Sequence, residues 1–375
     1  MAHIVHVLKW YPPSIGGIER VAEFCADAAR SAGHKVTVIV CEKGAERAGR
    51  SITPTGVVVH RLKSLGILFS MPIAPALPFA LIRWLYKADL VHFHEPYPAA
   101  TLSMLLLPRP RKLVITWHGD ILRQKRLKRY AEWFQDRLAR RADAILTTSE
   151  RMAPGSPVLA RNADRIRIMP FMIDTVPFDA LRGQTDRIAA TRKRWGGRFA
   201  FACGRLIPYK GYEVLVDALA GTDLRVVVVG DGPLREALLA QAKTRGVSDQ
   251  IAWAGAVDNE TVCDLHCACE FLVFPSVTQG EAFGLVQLEA MAAGRPVVNT
   301  WLQTSVPAVS LDGVSGLTVQ PRDPTALREA MLKLWNDTEL RERLGAGALT
   351  RIREVFEHSK VLGRLLAFYD DILAG

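Results

Sequence analysis

Short runs rich in Val, Ile and Leu alternate along this chain with longer stretches in which apolar residues recur every three or four positions. Residues 3–8 form the first run, 17–32 follow with a helical pattern, and 35–41 form the second run. Such alternation predicts a parallel sheet with crossover helices. It continues through runs at 57–61, 90–94, 113–117 and 144–148, with a helical pattern over 122–141. After a short strand at 166–169 the pattern is broken by Pro170, Pro177 and a polar, strand-poor segment that lasts to Arg198, so the interdomain linker is expected near 171–174. The alternation then restarts, with strands at 199–203, 224–229, 251–253, 271–274 and 296–299. Helices are expected between them at 212–219, 234–245, 261–267 and 285–293, and a closing amphipathic helix at 359–373. The fold class is therefore α/β, with two doubly wound domains. A chain of 375 residues is long enough for two cores of ordinary size.

Composition fits a globular protein: 49% of residues are apolar and 23% charged. The formal charge of +10 is unevenly spread. Residues 1–175 hold 26 Lys and Arg against 14 Asp and Glu, a net of +12, while residues 176–375 hold 22 against 24, a net of −2. A one-sided basic field suits a phosphate-bearing partner. Part of it lies in 122–141, where Arg123, Lys125, Arg126, Lys128, Arg129, Arg137, Arg140 and Arg141 face only Glu132 and Asp136, interleaved with Tyr130, Trp133 and Phe134. An anionic membrane surface is the expected partner of this segment, with a solvated basic face as the bland reading. The longest apolar run, 65–85, is broken by Pro72, Pro75 and Pro78, which argues against a crossing helix but allows it to lie on a bilayer. The six cysteines sit mostly in apolar stretches, and the first residues read as a strand instead of a leader, so a reduced, cytoplasmic setting is expected, peripheral at the inner face of the membrane.

Ligands of open parallel sheets sit beyond the carboxyl ends of the strands, so the loops there carry the candidate chemistry. Gly16 and Gly17 follow the first strand and open a helix whose N-terminus favours anions. This is not the dinucleotide pattern of glycines. After the first strand of the second domain, Gly204 and Arg205 precede Lys210 and Gly211, placing two cations at the mouth of the sheet. A guanidinium fork and an ammonium would together grip a diphosphate. Further on, Glu281 lies in a post-strand loop, Ala282, Phe283 and Gly284 lead into a helix starting with Leu285 and Val286, and Glu289 lies within that helix. In one helix, Glu281 and Glu289 would lie roughly 12 Å apart, too far for the pair of a retaining hydrolase.

Gly204-Arg205 with Lys210-Gly211, then Val229-Gly-Asp-Gly-Pro-Leu234, then Glu281 and Glu289 in this order resemble the retaining glycosyltransferases of family 4 over essentially the whole chain. The resemblance implies the GT-B fold: two Rossmann-like domains facing a central cleft. Residues 1–170 would bind the acceptor, 171–355 the nucleotide sugar, and 356–375 would pack back toward the N-terminal domain. It implies that Arg205 and Lys210 hold the donor diphosphate, that Glu281 meets hydroxyls of the sugar, and that Glu289 binds the ribose. Amides near Phe283 to Val286 would meet sugar and phosphate. His118, in Thr116-Trp117-His118-Gly119-Asp120, looks like the family's histidine beside the transferred sugar. Such enzymes are held to work by front-face attack, needing charge stabilisation and no metal or other cofactor. The implied partners are a nucleotide-sugar donor, GDP-mannose or a UDP-sugar, and a saccharide or polyprenyl-diphosphate-linked acceptor of a bacterial surface polysaccharide. The tract Asn299 to Pro307 is similar to that of mannosyl-type members. No nucleic acid is expected. Two rivals are a UDP-sugar 2-epimerase of the same fold and an inactive scaffold that binds membrane or nucleic acid. Cys263, His266, Cys267 and Cys269 have no matching second cluster and are read as helix and core residues.

Overall fold

The computed structural model describes residues 1–14, 16–42, 48–68, 71–120 and 128–375, with Lys128 described in its backbone only. Two compact units emerge, one of Met1–Pro170 with Val361–Gly375 and one of Phe171–Lys360.

The first unit is built on an eight-stranded sheet in the order β10-β9-β8-β7-β1-β2-β4-β3. Its strands are β1 (His3–Val7), β2 (Lys35–Glu42), β3 (Gly49–Ile52), β4 (Val58–Lys63), β7 (Leu90–Glu95), β8 (Leu113–Trp117), β9 (Ala144–Thr147) and β10 (Ile166–Ile168). All pairings are parallel except that of β3 with β4. A small hairpin, β5 (Ile67–Leu68) and β6 (Met71–Pro72), stands apart in the sheet order. The helices are α1 (Gly17–Ser31), α2 (Leu77–Leu85), α3 (Pro98–Leu106), α4 (Lys128–Ala139), α5 (Met152–Gly155) and α6 (Pro157–Arg161). Helices α2, α3 and α4 pack side by side in one layer. Val5, Val7, Val91 and Phe93 share a core with Leu77, Leu81, Met104 and Leu138 of that layer. Side chains alternate along a strand, so His6, His92 and His94 lie on the opposite face of the sheet.

The second unit holds a six-stranded parallel sheet in the order β13-β12-β11-β14-β15-β16. Its strands are β11 (Ala200–Cys203), β12 (Val226–Val229), β13 (Ile251–Gly255), β14 (Leu272–Val273), β15 (Val297–Thr300) and β16 (Gly316–Val319). Its helices are α7 (Val176–Arg182), α8 (Thr185–Arg194), α9 (Tyr212–Leu219), α10 (Arg235–Arg245), α11 (Asn259–Ala268), α12 (Leu285–Ala292), α13 (Val306–Val309), α14 (Pro324–Asn336) and α15 (Thr338–Arg351). Both faces are covered, which is why the strands read as unbroken apolar runs. Val227 and Val229 enter one core while Val226 and Val228 enter the other.

The last helix, α16 (His358–Ala374), buries Val361, Leu365 and Tyr369, one stripe at four-residue spacing. The expected boundary at 355/356 moves to 360/361. Phe356 belongs to the core of the second unit, and Ile173 pairs with Glu357, so the chain leaves that unit only after these residues. Residues 178–198, read as polar and strand-poor, are mostly the helices α7 and α8. Helix α8 buries no residue fully; Ile188 packs at the edge of the core, and ion pairs add to it: Arg187 to Asp264 at 2.7 Å and Glu260 at 2.6 Å, Arg192 to Glu270 at 3.1 Å. With no apolar stripe it leaves no period in the sequence. Of the basic segment 122–141, residues 122–127 lie outside the described residues, and the described helix is α4.

Candidate functional site

The strand order of the second sheet reverses between β11 and β14. Loops on either side of such a reversal diverge and leave a crevice at the carboxyl ends of the strands. The loop after β11 carries Gly204, Arg205 and Lys210; the loop after β14 carries Ser276 and Glu281. Backbone bonds join the first of these to the Val229–Leu234 loop, from Gly204 N–H to Val229 O at 2.9 Å and from Leu206 N–H to Asp231 O at 3.0 Å. At Gly211 φ is 71°, and a Cβ there would come within 2.1 Å of Pro275 O, so glycine alone lets the two loops touch.

Lys210 and Glu281 meet across that contact, Nζ to Oε2 at 2.5 Å, with side chains only 14% and 10% exposed. Ser276 Oγ donates to the same carboxylate at 3.1 Å. The Lys210 ammonium also lies 5.0 Å from the centre of the Phe274 ring. Arg205 is exposed. Lys210, expected on a diphosphate, and Glu281, expected on a sugar, are coupled by this geometry, because any anion that draws on Lys210 competes with Glu281.

Gly284, at φ 81°, caps α12, and a Cβ there would strike the Phe274 ring at 2.4 Å. The turn before it is fixed from behind. Gln287 Nε2 donates to Phe283 O at 2.8 Å, Asn299 Nδ2 donates to Gln287 Oε1 at 2.9 Å, and Ser305 N–H donates to Ala282 O at 2.9 Å. Phe283 is a core residue, its ring 4.8 Å from that of Phe171, so its main chain alone is left for a ligand. Leu285 and Val286 pack their side chains against the same core and open the helix with their amides. Glu289 sits one turn further, its Oε2 3.3 Å from His266 Nε2. His266 is fully buried against the edge of Phe201. His266, expected as a helix and core residue, lies against Glu289 without a hydrogen bond between them, a contact not legible in the sequence because the two are 23 positions apart and belong to different helices. Cys267 and Cys269 are buried thiols, pushed up to about 11 and about 12 by burial, which suits core packing.

Gly16, Gly17 and His118 belong to the first unit. Gly16 caps α1 in an extended conformation that any residue adopts, and a Cβ there would meet only the mobile end of Glu19, so the reasoning from backbone freedom does not hold at Gly16. His118 follows β8 beside the reversal in the first sheet, between β1 and β7. Its amide donates to Glu95 O at 3.0 Å, and Asp120 in the same loop accepts from Trp117 Nε1 at 3.0 Å and Ser156 Oγ at 2.8 Å. His118 is buried, and burial pushes its pKa down to about 3. It does not stand alone. His94 Nδ1 lies 3.1 Å from His118 Nε2, and His6 Nδ1 lies 3.2 Å from His94 Nε2. The register explains the grouping: His6 pairs with His92 across β1 and β7, so both lie on one face with His94.

His6, His92 and His94 bring one nitrogen each within 4.8 Å of one another, a spacing open to a metal. Their orientation does not suit one. A ligating nitrogen directs its lone pair in the ring plane, yet His92 and His94 stack at 4.5 Å and 19°. Both nitrogens of His92 are also engaged, Nδ1 with Tyr369 OH at 2.7 Å and Nε2 with Thr116 Oγ1 at 2.6 Å.

Two doubly wound units, each with its chemistry at the reversal of strand order, define a protein of the GT-B class. Family models agree along the chain: "Glycosyltransferase Family 4" matches residues 15–176 and "Glycosyl transferases group 1" residues 184–351. Among similar proteins, the D-rhamnosyltransferase WbpZ of Pseudomonas aeruginosa is 32% identical over 94% of this chain and 92% of its own. The O-antigen chain mannosyltransferase C of Escherichia coli is 29% identical over 99% and 98%. The crystal structure of HepE from Anabaena in complex with UDP superposes with a TM-score of 0.80 at 19% identity, covering 99% of this chain and 100% of that one. The chain belongs to glycosyltransferase family 4, and it is a glycosyltransferase.

Proposed function

We propose that this glycosyltransferase is retaining and moves a hexosyl group from a nucleotide-diphosphate sugar onto a saccharide or polyprenyl-diphosphate-linked acceptor of a bacterial surface polysaccharide. The observation that carries this reading is the cation-bearing loop after β11, held against the Glu281 loop at the strand-order reversal. Arg205 and Lys210 supply positive charge where a diphosphate leaves, and the amides opening α12 add to it. Glu281 receives hydroxyls of the sugar, and Glu289 receives the ribose. The mannosyl and D-rhamnosyl names of the relatives favour GDP-mannose over a UDP-sugar as donor. Incubation with GDP-mannose or UDP-glucose and a saccharide acceptor tests this. One donor should stabilise the fold in a thermal scan and yield a product with the donor's anomeric configuration. An inverted product, or release of an epimerised sugar without acceptor, would overturn it.

The acceptor reading extends to a membrane. Among the described residues no helix is long and apolar enough to cross one. The α2–α4 layer nevertheless exposes Phe79, Tyr86, Leu102, Leu106, Tyr130 and Trp133, with Arg83, Arg129, Arg137 and Arg140 exposed among them. The Arg137 guanidinium stacks 4.1 Å over Trp133. Rings and cations on one outer layer fit an anionic lipid surface at the inner face of the cytoplasmic membrane, each cation contributing on the order of 1 kcal/mol. Binding to phosphatidylglycerol vesicles should fall as salt rises and fall further in a Phe79→Ala, Trp133→Ala, Arg129→Gln variant. Equal binding by the variant would refute this docking face.

A further inference from the structure

Strand β15 ends differently from its apolar neighbours β11, β12 and β14. Val297 and Val298 enter the two cores of the unit, but the next two residues are Asn299 and Thr300, both buried. Side chains alternate along a strand, so Asn299 shares the face of Val297 and Thr300 that of Val298. A polar side chain buried in such a place must end on hydrogen-bond partners, and where those partners lie says what it holds. They converge on one loop, residues 276–284. Asn299 Nδ2 donates to Gln287 Oε1 at 2.9 Å, and Gln287 Nε2 donates to Phe283 O at 2.8 Å. From the other side Thr300 Oγ1 donates to Ser276 O at 2.6 Å, and Ser276 Oγ donates to Glu281 Oε2 at 3.1 Å. Ser305, just beyond the strand, gives its amide to Ala282 O at 2.9 Å. Asn299 is itself held in one orientation. Its Oδ1 accepts from Thr318 Oγ1 at 2.7 Å, and its Nδ2 also donates to Val306 O and Ser310 O, each at 3.1 Å. Turning this amide over would set an oxygen against three acceptors.

We propose that Asn299, Thr300 and Gln287 are positioning residues for sugar transfer, clamping from two sides the loop that carries Glu281 and leads into the opening amides of α12. This rests on the reading of that loop as the part of the donor site that meets the sugar. Asn299 and Gln287 are fully buried and Thr300 is 2% exposed, so they act through the shape of the loop and not by touching the donor. A fully satisfied buried network of this kind is rigid, and rigidity behind a site keeps its groups on one aim. Arg205 and Lys210 belong to the loop after β11, so a loosened clamp should slow transfer while leaving the grip on a free diphosphate in place. The polar end of β15 thereby separates two properties of the donor site, affinity for the nucleotide and placement of the sugar.

Transfer kinetics, with calorimetric titration of free GDP and UDP, test this on the full-length protein, each variant assayed below its melting temperature. Thr300→Val keeps the shape of the side chain and removes its hydroxyl. It should lower kcat roughly tenfold, the scale of losing an orienting partner, at unchanged affinity for the nucleoside diphosphate that the parent binds. Thr300→Ser, which keeps the hydroxyl, should restore kcat. Gln287→Met keeps the length of the side chain, removes the donor to Phe283 O and should repeat the loss. Thr318→Val removes a bond of the same network on the side away from the loop; it should lower the melting temperature and leave kcat at the parental value. Parental kcat in Thr300→Val, no recovery in Thr300→Ser, an equal loss in Thr318→Val, or a fall in diphosphate affinity matching the fall in kcat would each overturn the proposal. If Gln287→Met does not fold, the two Thr300 variants decide alone. Glu281→Gln reports separately on the underlying reading: parental transfer there would remove Glu281 from the sugar, while the Thr300 variants still decide the clamp.

Discussion

Lys210→Ala is expected to lower kcat/KM for sugar transfer by roughly 100-fold or more, and Arg205→Ala by a similar factor, the scale of losing one contact that stabilises developing charge. The two losses arise differently. Arg205 is exposed, so its alanine variant should keep the stability of the parent. Lys210 is nearly buried and is the cation held against Glu281, so its removal strands a carboxylate that is itself 8% exposed and lowers the melting temperature as well. Glu281→Gln is the informative complement. It leaves Lys210 without its internal counter-charge, so free nucleoside diphosphate should bind as tightly as before or more tightly while transfer collapses. Titration calorimetry with the nucleoside diphosphate and with the sugar nucleotide checks this, since equal loss of both affinities would place Glu281 on the nucleotide. Folded Arg205 and Lys210 variants with parental turnover would remove the diphosphate assignment.

Acid should unfold the first unit well before ordinary carboxylate titration. His6 and His118 have pKa values near 3 in the folded protein because burial penalises the imidazolium, against about 6.5 in an unfolded chain. The folded value is the lower one, so the unfolded chain takes up protons first. Stability is complete above about 6.5 and is lost as pH falls from there toward 3. At pH 5 each of these two histidines costs about 2 kcal/mol, a large part of the stability of a typical domain. His92 and His94 shift in the same direction and add to the loss. Glu95 and Glu23 work the other way, their carboxyls pushed up by burial, but His3 and His60 also fall, so among the described residues of this unit two carboxyls stand against six histidines. Denaturant unfolding at pH 7.5 and pH 5.0 should therefore differ by about 4 kcal/mol or more. Equal unfolding free energies at the two values would show that the histidines are solvated or already charged.

The sheets were legible because strands covered on both faces write themselves as unbroken apolar runs, as in Val226–Val229. Helix α8 was not, because a helix that meets the core through Ile188 alone, with Arg187 and Arg192 in surface ion pairs, has no period to detect. The short strand β16 and the helices α2 and α3 were missed for a related reason: apolar residues all around a short segment erase the distinction between periods. Within the site, the loops and their charged residues could be named from order and spacing. Their pairings could not. Nothing in the sequence shows that Lys210 closes on Glu281, that His266 reaches Glu289, or that His6, His92 and His94 line up behind His118. Each of these depends on which strands become neighbours, and the reversal of strand order that brings β1 beside β7 joins residues 86 or more positions apart.

The first unit is discontinuous along the chain, and this sets the order in which the protein can be made. A growing chain usually completes its N-terminal domain first. Here Val361, Leu365 and Tyr369 are buried parts of that domain, yet they are synthesised after the whole second unit. Until the last fifteen residues leave the ribosome, His92 has no Tyr369 hydroxyl to bond. The second unit, contiguous from Phe171 to Lys360, can close on its own during synthesis. The N-terminal half must wait, its sheet formed but one helix short, so the first part translated is the last part finished.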